Sequence, residues 1–593
     1  MSVVRIPGLI MAAVVCLSPL SAVADQRIDG TIVVTANRVD QPLDKALART
    51  SVITREEIEL SQAPDLLELL RQQAGVDIAR TGGAGGQTSV FLRGSNANHV
   101  LVLIDGVRAS AAGTGAFAWE LLDVGLIERI EIVRGPRAAR WGSDAIGGVI
   151  QIFTRRPDRL SLRAGYGSHE DLSLAAGIGG KQAGLLVAGR RVGGFSAQNE
   201  RGFAFDPDDD GFEVMSAAGG GAHRLGNGVL DWTVRLVDGE VEFDQGVSDI
   251  TNYAASLNYE LDVSGNWHWS GNAALYRDRL DTSTAFGRSE NITRRMQAGL
   301  LGERKFGPGN HWLLGVDAWN ESGVARGSWS DSRHNIGVWT GLDGSWEKLD
   351  YEASLRADRD ATFGSAVTGN LAGGWRPREN WRLFASVGRA FRAPNFNQLF
   401  SPGFFGAFAG NPDLDPETSI SGELGADWHL SPSSSLTLSL FQTRIDDLID
   451  FAGENFQAIN IRRAQIQGAE LVYRLDLERW RVQAQITRQE AEDRDSGLDL
   501  LRRPDEKAAV SLDHRFAGGH WLGVELIYTG QRFDIGQMEL PSYTLINLRG
   551  GWQFSESWGL EGRIENAADR FYEPASGFNA ADRSIFVALN FGR

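Results

Sequence analysis

Trp480-Arg481-Val482-Gln483-Ala484-Gln485-Ile486-Thr487 alternates apolar and polar side chains at every step, directly after the polar turn Leu477-Glu478-Arg479. Successive side chains of an extended backbone point to opposite faces, so this stretch reads as a strand between apolar and polar surroundings. Leu436, Leu438 and Leu440, interleaved with Thr437 and Ser439, repeat the pattern. A two-layer sandwich alternates in the same way, so alternation alone leaves two architectures open. The turns separate them. Short polar or glycine-rich turns recur near residues 180, 226, 264, 308, 348, 378, 432, 478, 518 and 556. With these turns and both ends of the sheet on one side, the count is about 22 antiparallel strands, an all-β transmembrane barrel.

Tryptophan supports the membrane reading. Twelve of the 17 flank those turns, from Trp232 through Trp381, Trp428 and Trp521 to Trp558. A soluble core scatters tryptophan, whereas a membrane interface collects it in a girdle. The chain closes on Ile585, Val587, Leu589 and Phe591 at alternate positions, as a terminal membrane strand does. No apolar run reaches the roughly 18 residues that a spanning helix needs. The net charge of −17 argues against a nucleic-acid backbone as partner.

Arg5, an apolar run over 9–17 and Ala22-Val23-Ala24 predict a secretory signal peptide over residues 1–24. Its removal takes away Cys16, the single cysteine, leaving no disulfide or thiolate chemistry. Residues 25–50 then form an N-terminal segment, 51–157 a first domain and 158–593 the barrel.

The first domain reads as mixed α and β. Ala63-Pro64-Asp65-Leu66-Leu67-Glu68-Leu69-Leu70-Arg71 predicts a helix with Pro64 in its first turn. Strands are expected at 90–92, 100–104, 127–133 and 149–153. Gly82-Gly83-Ala84-Gly85-Gly86 lacks the Gly-Lys-Ser/Thr of a phosphate loop and reads as a mobile connection.

Ahead of this domain stands Thr31-Ile32-Val33-Val34-Thr35-Ala36-Asn37-Arg38. Its β-branched run favours an extended backbone and has no adjacent strand signal to pair with. Such a segment suits β-augmentation, in which a second protein adds its sheet edge and gains a grip on everything downstream. An ordinary first strand is the plainer alternative.

Phe91-Leu92-Arg93-Gly94, Leu103-Ile104-Asp105-Gly106, Val133-Arg134-Gly135-Pro136 and Gly142-Ser143-Asp144-Ala145-Ile146-Gly147-Gly148 occur in the order and wording of a plug domain. They closely resemble the plug of TonB-dependent outer-membrane receptors. Gly388-Arg389-Ala390-Phe391-Arg392-Ala393-Pro394, Asn411-Pro412-Asp413-Leu414-Asp415-Pro416-Glu417 and Arg563-Ile564-Glu565-Asn566 extend the likeness into the barrel. A barrel this wide needs an occluding domain.

The resemblance implies an integral, monomeric protein of the Gram-negative outer membrane. Its TonB box would be Ile32, Val33, Val34, Thr35 and Ala36, pulled by TonB and an inner-membrane motor driven by the proton gradient. It also implies a plug–barrel charge cluster of Arg93, Arg134, Glu423 and Glu470. The wording of box and plug is most similar to family members that import cobalamin (vitamin B12); a ferric siderophore is the alternative ligand. Outward loops 82–88, 110–117 and 400–410 then point to Gly83, Gln87, Thr114, Phe404 and Phe405 as ligand contacts. Asp206-Pro207-Asp208-Asp209-Asp210-Gly211-Phe212 resembles a calcium loop of the same members. Asp208, Asp210, Asp244 and Asp249 are its candidate ligands, with an acidic surface loop as the plainer reading. Nine histidines without ligand spacing, and no nucleophile elbow, speak against an enzyme and against a catalytic cofactor. The plug and box speak against a passive porin or adhesin.

Overall fold

The computed structural model describes residues 33–34, 38–263, 265–404, 407–452 and 456–592. The proposed signal peptide lies outside them. From Ser161–Gly167 to Ser584–Phe591 antiparallel strands follow one another in chain order, and the last pairs with the first, Leu162 opposite Phe591. The sheet therefore closes on itself and leaves no edge of unpaired amides, the condition for a sheet to sit in hydrocarbon. The barrel has 22 spanning strands; Leu498–Asp499 is a two-residue continuation of one extracellular hairpin. Each turn read from the sequence joins consecutive strands. On the opposite side the strands run on well beyond the membrane, as in Gly287–Gly307 with 21 residues.

Polarity across the wall is inverted relative to a soluble protein. In Leu349–Asp360 the buried set is Asp350, Glu352, Ser354, Arg356, Asp358 and Asp360, while Leu349 and Leu355 are exposed. Charge lies inside and leucine faces lipid. Below this belt the girdle rings pack on one another: Trp381 stacks 5.0 Å from Trp428, Trp267 stacks 5.5 Å from Trp269, and Trp312 lies tilted 5.8 Å from Trp267. Trp521 corrects the girdle reading. It shares the lumenal face of its strand with Glu525 and Ile527 and is buried, over Gly551, where an added Cβ would meet its ring nitrogen at 2.2 Å.

Inside the barrel sits a plug built on a five-stranded sheet. Its order is Thr50–Ile53, Ile127–Arg134, Gly148–Thr154, Val100–Ile104, Val107–Arg108, with only Val100–Ile104 and Gly148–Thr154 parallel. Leu66, Leu67 and Leu70 pack beneath it with Ile130, Ile132 and Ile150. Helix Leu66–Arg71 starts one turn later than read, because Asp65 is its cap and accepts the Glu68 amide; Pro64 precedes the cap. Helix Arg55–Ser61 was not expected, although Thr54 and Glu57 form the reciprocal capping box that announces such a start. Hairpin Val76–Arg80 with Thr88–Leu92 rises from the sheet toward the outer face.

Candidate functional site

The segment ahead of the plug is not unpaired. Val34 lies opposite Gln41 and Val33 opposite Pro42 in a two-residue antiparallel ladder. This corrects the reading of a partnerless strand; Ile32, Thr35 and Ala36 lie outside the described residues. The return is made at Arg38, whose φ of 64° lies in the left-handed region. The guanidinium of Arg38 donates to both carboxylate oxygens of Asp317 on the barrel wall at 2.8 Å and to the Arg140 carbonyl at 3.2 Å. It lies over the rings of Trp141 and Trp339, 5.2 and 5.3 Å from their centres. Asp317 also accepts from Arg356 at 2.6 Å. The ladder itself is thin, because Pro42 has no amide to donate.

Arg93, Arg134, Glu423 and Glu470 come together in the plug–wall interface, all buried. Arg93 donates to Glu470 through Nε and Nη2 and to Glu423 through Nη2, each at 2.9 Å. Burial opposes the Arg93 charge, and the Glu423 and Glu470 carboxylates overcome it and raise its pKa. Arg134 approaches Glu470 at 3.8 Å, but its hydrogen bonds go to the Ala74 carbonyl and to Ser51. Burial pulls its guanidinium down to about 10.

More plug–wall pairs surround this cluster than the sequence disclosed. Arg49 meets Asp427 at 2.9 Å, Arg137 meets Glu352 at 2.9 Å and Arg140 meets Asp343 at 2.5 Å. His99 Nε2 and Arg392 Nη1 converge on Glu417 at 2.9 and 2.8 Å. In each of these pairs between plug and wall the plug supplies the nitrogen and the wall the carboxylate, whereas plug Glu56, at the periplasmic rim, takes Arg481 and Arg515 of the wall in the opposite sense. Removing one partner leaves the other charge buried and alone, at a cost of about 3–5 kcal/mol.

On the outward face the plug loops are stitched to the wall by backbone. The Ala112 amide donates to Thr293 Oγ1 at 2.8 Å, the Gly113 carbonyl accepts the Asn397 amide at 2.9 Å, and the Thr114 carbonyl accepts Asn395 Nδ2 at 2.8 Å. The Thr114 side chain is exposed, and so is that of Gln87. Gly83 instead rests on the Phe195 ring, where an added Cβ would come within 3.3 Å. Phe404 belongs to the short hairpin Pro402–Phe404 with Ala407–Ala409; Phe405 lies outside the described residues. Phe408 is committed to its neighbours, 5.4 Å from Phe456 and 6.0 Å from Phe451.

The four aspartates do not form one shell. Asp244 accepts the Asp206 amide at 2.9 Å through Oδ1, and its buried Oδ2 has no partner. Asp210 stands near Asp244 and Asp208 and accepts the Ala197 amide at 2.5 Å. Asp249 is on the outward face of its strand, between Glu240 and Asp281, so its side chain points away from Asp210. Among the described residues no group of three or more acidic, histidine or cysteine side chains is arranged to hold a metal ion.

A plugged barrel with a tethered N-terminal strand invites comparison with known proteins. The description "TonB-dependent Receptor Plug Domain" matches residues 42–149, and "TonB dependent receptor-like, beta-barrel" matches 186–567. The vitamin B12 transporter BtuB of Vibrio vulnificus is 30% identical over 97% of this chain and 98% of its own. The chain belongs to the TonB-dependent receptor family. BtuB of Photobacterium profundum is likewise 30% identical, over 98% of both chains. In fold, the receptor superposes on the ferric enterobactin receptor PfeA of Pseudomonas aeruginosa with a TM-score of 0.77 at 17% identity, over 92% of this chain and 98% of PfeA. The copper transporter OprC gives 0.79 at 16% identity, over 91% and 98%. As a family member the receptor is an outer-membrane transport protein of Gram-negative bacteria and not an enzyme. The latch at Arg38 and the pairs at Arg49, Arg137 and Arg140 escaped sequence reading. Their signal was an arginine-rich plug facing carboxylates at lumenal strand positions.

Proposed function

We propose that this receptor imports cobalamin into the periplasm, powered by TonB pulling on residues 32–36. The observation that carries the pulling step is the box itself: among the described residues two residue pairs and the arginine that follows hold it, so a partner strand that pairs along its full length displaces the ladder readily. The likeness to vitamin B12 transporters over nearly the whole chain supports the ligand. Large rigid ligands are met by backbone-rich loops such as 82–86 and 110–117, with Gln87 and Thr114 as exposed polar contacts.

A short chain of contacts connects ligand loop and box. Arg108, at the base of the 110–117 loop, donates to the Ser143 carbonyl at 3.2 Å and to the Trp141 carbonyl, and the Trp141 ring lies against Arg38. Ligand pressure on the loop therefore acts on the residue that tethers the box. A hard cation is a lesser part of this reading: the Asp244 Oδ2 is buried without a partner, and Asp208 and Asp210 would have to turn toward it, since the three do not stand as a ready ligand group; Asp249 is not included.

The test is equilibrium binding of cyanocobalamin and of ferric enterobactin to the purified receptor, each with calcium and with a chelator. Tight cobalamin binding, strengthened by calcium, is expected. Binding of ferric enterobactin alone would replace cobalamin by a siderophore and leave the import mechanism standing.

A further inference from the structure

The outer surface of strands Gly246–Val263, Trp267–Thr284 and Gly287–Gly307 carries a charge arrangement that transport does not use. Arg277 lies directly opposite Arg294 across the ladder, both on the lipid-facing side. Like charges in that relation repel, with Cβ atoms about 5 Å apart. Nearby carboxylates do not relieve them. Asp281 is taken by Arg279 at 3.2 Å and Arg288 at 2.6 Å, and Glu290 by Arg279 at 2.9 Å and by Arg326. Among the described residues Arg277 meets only Tyr253, its hydroxyl at 3.1 Å and its ring at 5.7 Å, and Arg294 has no polar partner.

The position of this pair is as telling as its charge. One outward step down the same two strands stand Leu275 and Met296, 51% and 65% exposed and belonging to the apolar belt. At the usual strand rise and tilt Arg277 stands about 25 Å above the girdle residue Trp267, the height of the apolar band. A phosphate over an acyl chain is the molecule that meets cation and apolar surface in this order. Guanidinium is the donor suited to phosphate.

We propose that Arg277 and Arg294, with the Tyr253 hydroxyl beside them, bind the phosphate of an outer-leaflet lipid whose acyl chains lie on Leu275 and Met296. The lipid neutralises the arginine pair, which the protein alone leaves in repulsion.

The experiment uses the full receptor in detergent, titrated with bisphosphorylated lipid A, with its dephosphorylated form and with inorganic phosphate. Bound lipid is counted by native mass spectrometry and the melting temperature is followed. Wild type is expected to bind the bisphosphorylated lipid and melt higher with it. R277Q/R294Q is expected to lose about tenfold or more in affinity, and R288Q, which alters only the exposed network above, to behave as wild type. R294Q alone removes a side chain with no polar partner, so it folds and reports a partial loss even if the double variant does not. Wild-type binding by R277Q/R294Q and R294Q, or equal binding of the dephosphorylated lipid, overturns the proposal. A full melting shift with inorganic phosphate also overturns it, assigning the arginines to free anions.

Discussion

Glu470 accepts from Arg93 through both oxygens and is the nearest carboxylate to Arg134. Glu470→Ala leaves two buried guanidiniums without it and is expected to weaken plug docking by about 3–5 kcal/mol. Hydrogen exchange of the plug amides, faster in the variant while barrel amides keep their protection, checks this. Glu120 offers a pH handle. Its Oε2 is buried without a partner, and burial pushes its carboxyl up to about 8. An unfolded chain releases that proton near pH 4.3. Between these values the folded plug holds a proton that the unfolded chain has lost, so plug stability falls as pH rises from about 4.5 to about 8. Glu120→Gln is expected to flatten that dependence, read as plug protection against pH; an unchanged slope would assign it elsewhere.

At the scale of the element, the box strand is the part built to be exchanged. Its ladder with Gln41–Pro42 has two residue pairs, and a proline occupies one of the four positions. Val34→Pro removes a donor that a partner strand needs and is expected to abolish uptake while cobalamin affinity stays within twofold. Arg38→Ala cuts the bond to Asp317 and acts in the opposite sense. It is expected to increase crosslinking of the box to TonB before ligand is added, with ligand affinity unchanged. Equal crosslinking in wild type and variant would show that Arg38 does not restrain the box. Helices Arg55–Ser61 and Leu66–Arg71 are held in the ordinary way, by Thr54 and Asp65 as caps, and take no part in the exchange.

For the whole molecule, plug and barrel differ in what holds them. The barrel is closed by its own ladder from Ser161–Gly167 to Ser584–Phe591, whereas the plug is held by an apolar core and by ion pairs to a charged wall. A barrel lacking residues 25–157 is therefore expected to insert, because its lumenal carboxylates gain water as the plug's arginines leave. Planar-bilayer recording checks this: a large, stable conductance in place of the closed intact receptor. A barrel that fails to assemble would make the plug a folding requirement.

Much of this architecture is local and so was written along the chain. Alternation, polar turns and terminal-strand pattern need only near neighbours, and they disclosed barrel and strand number; the wording around Arg93, Arg134 and Gly147 disclosed the plug. What escaped depends on closure. Arg140 and Asp343 are 203 residues apart and Arg93 and Glu470 are 377 apart; the first pair left no local trace, and the second was legible only through family wording. Trp521 was misplaced by parity, since a strand assigns opposite faces to adjacent residues and only register states which face is the lumen; Asp249 was taken for a loop ligand and lies instead in strand Gly246–Val263, on its outward face. The box strand has a cis partner in Gln41–Pro42, beside the bond from Arg38 to Asp317 on the wall. Local chemistry settles which elements form, and barrel closure settles which charges meet, because that pairing depends on shear and register around a ring of 22 strands.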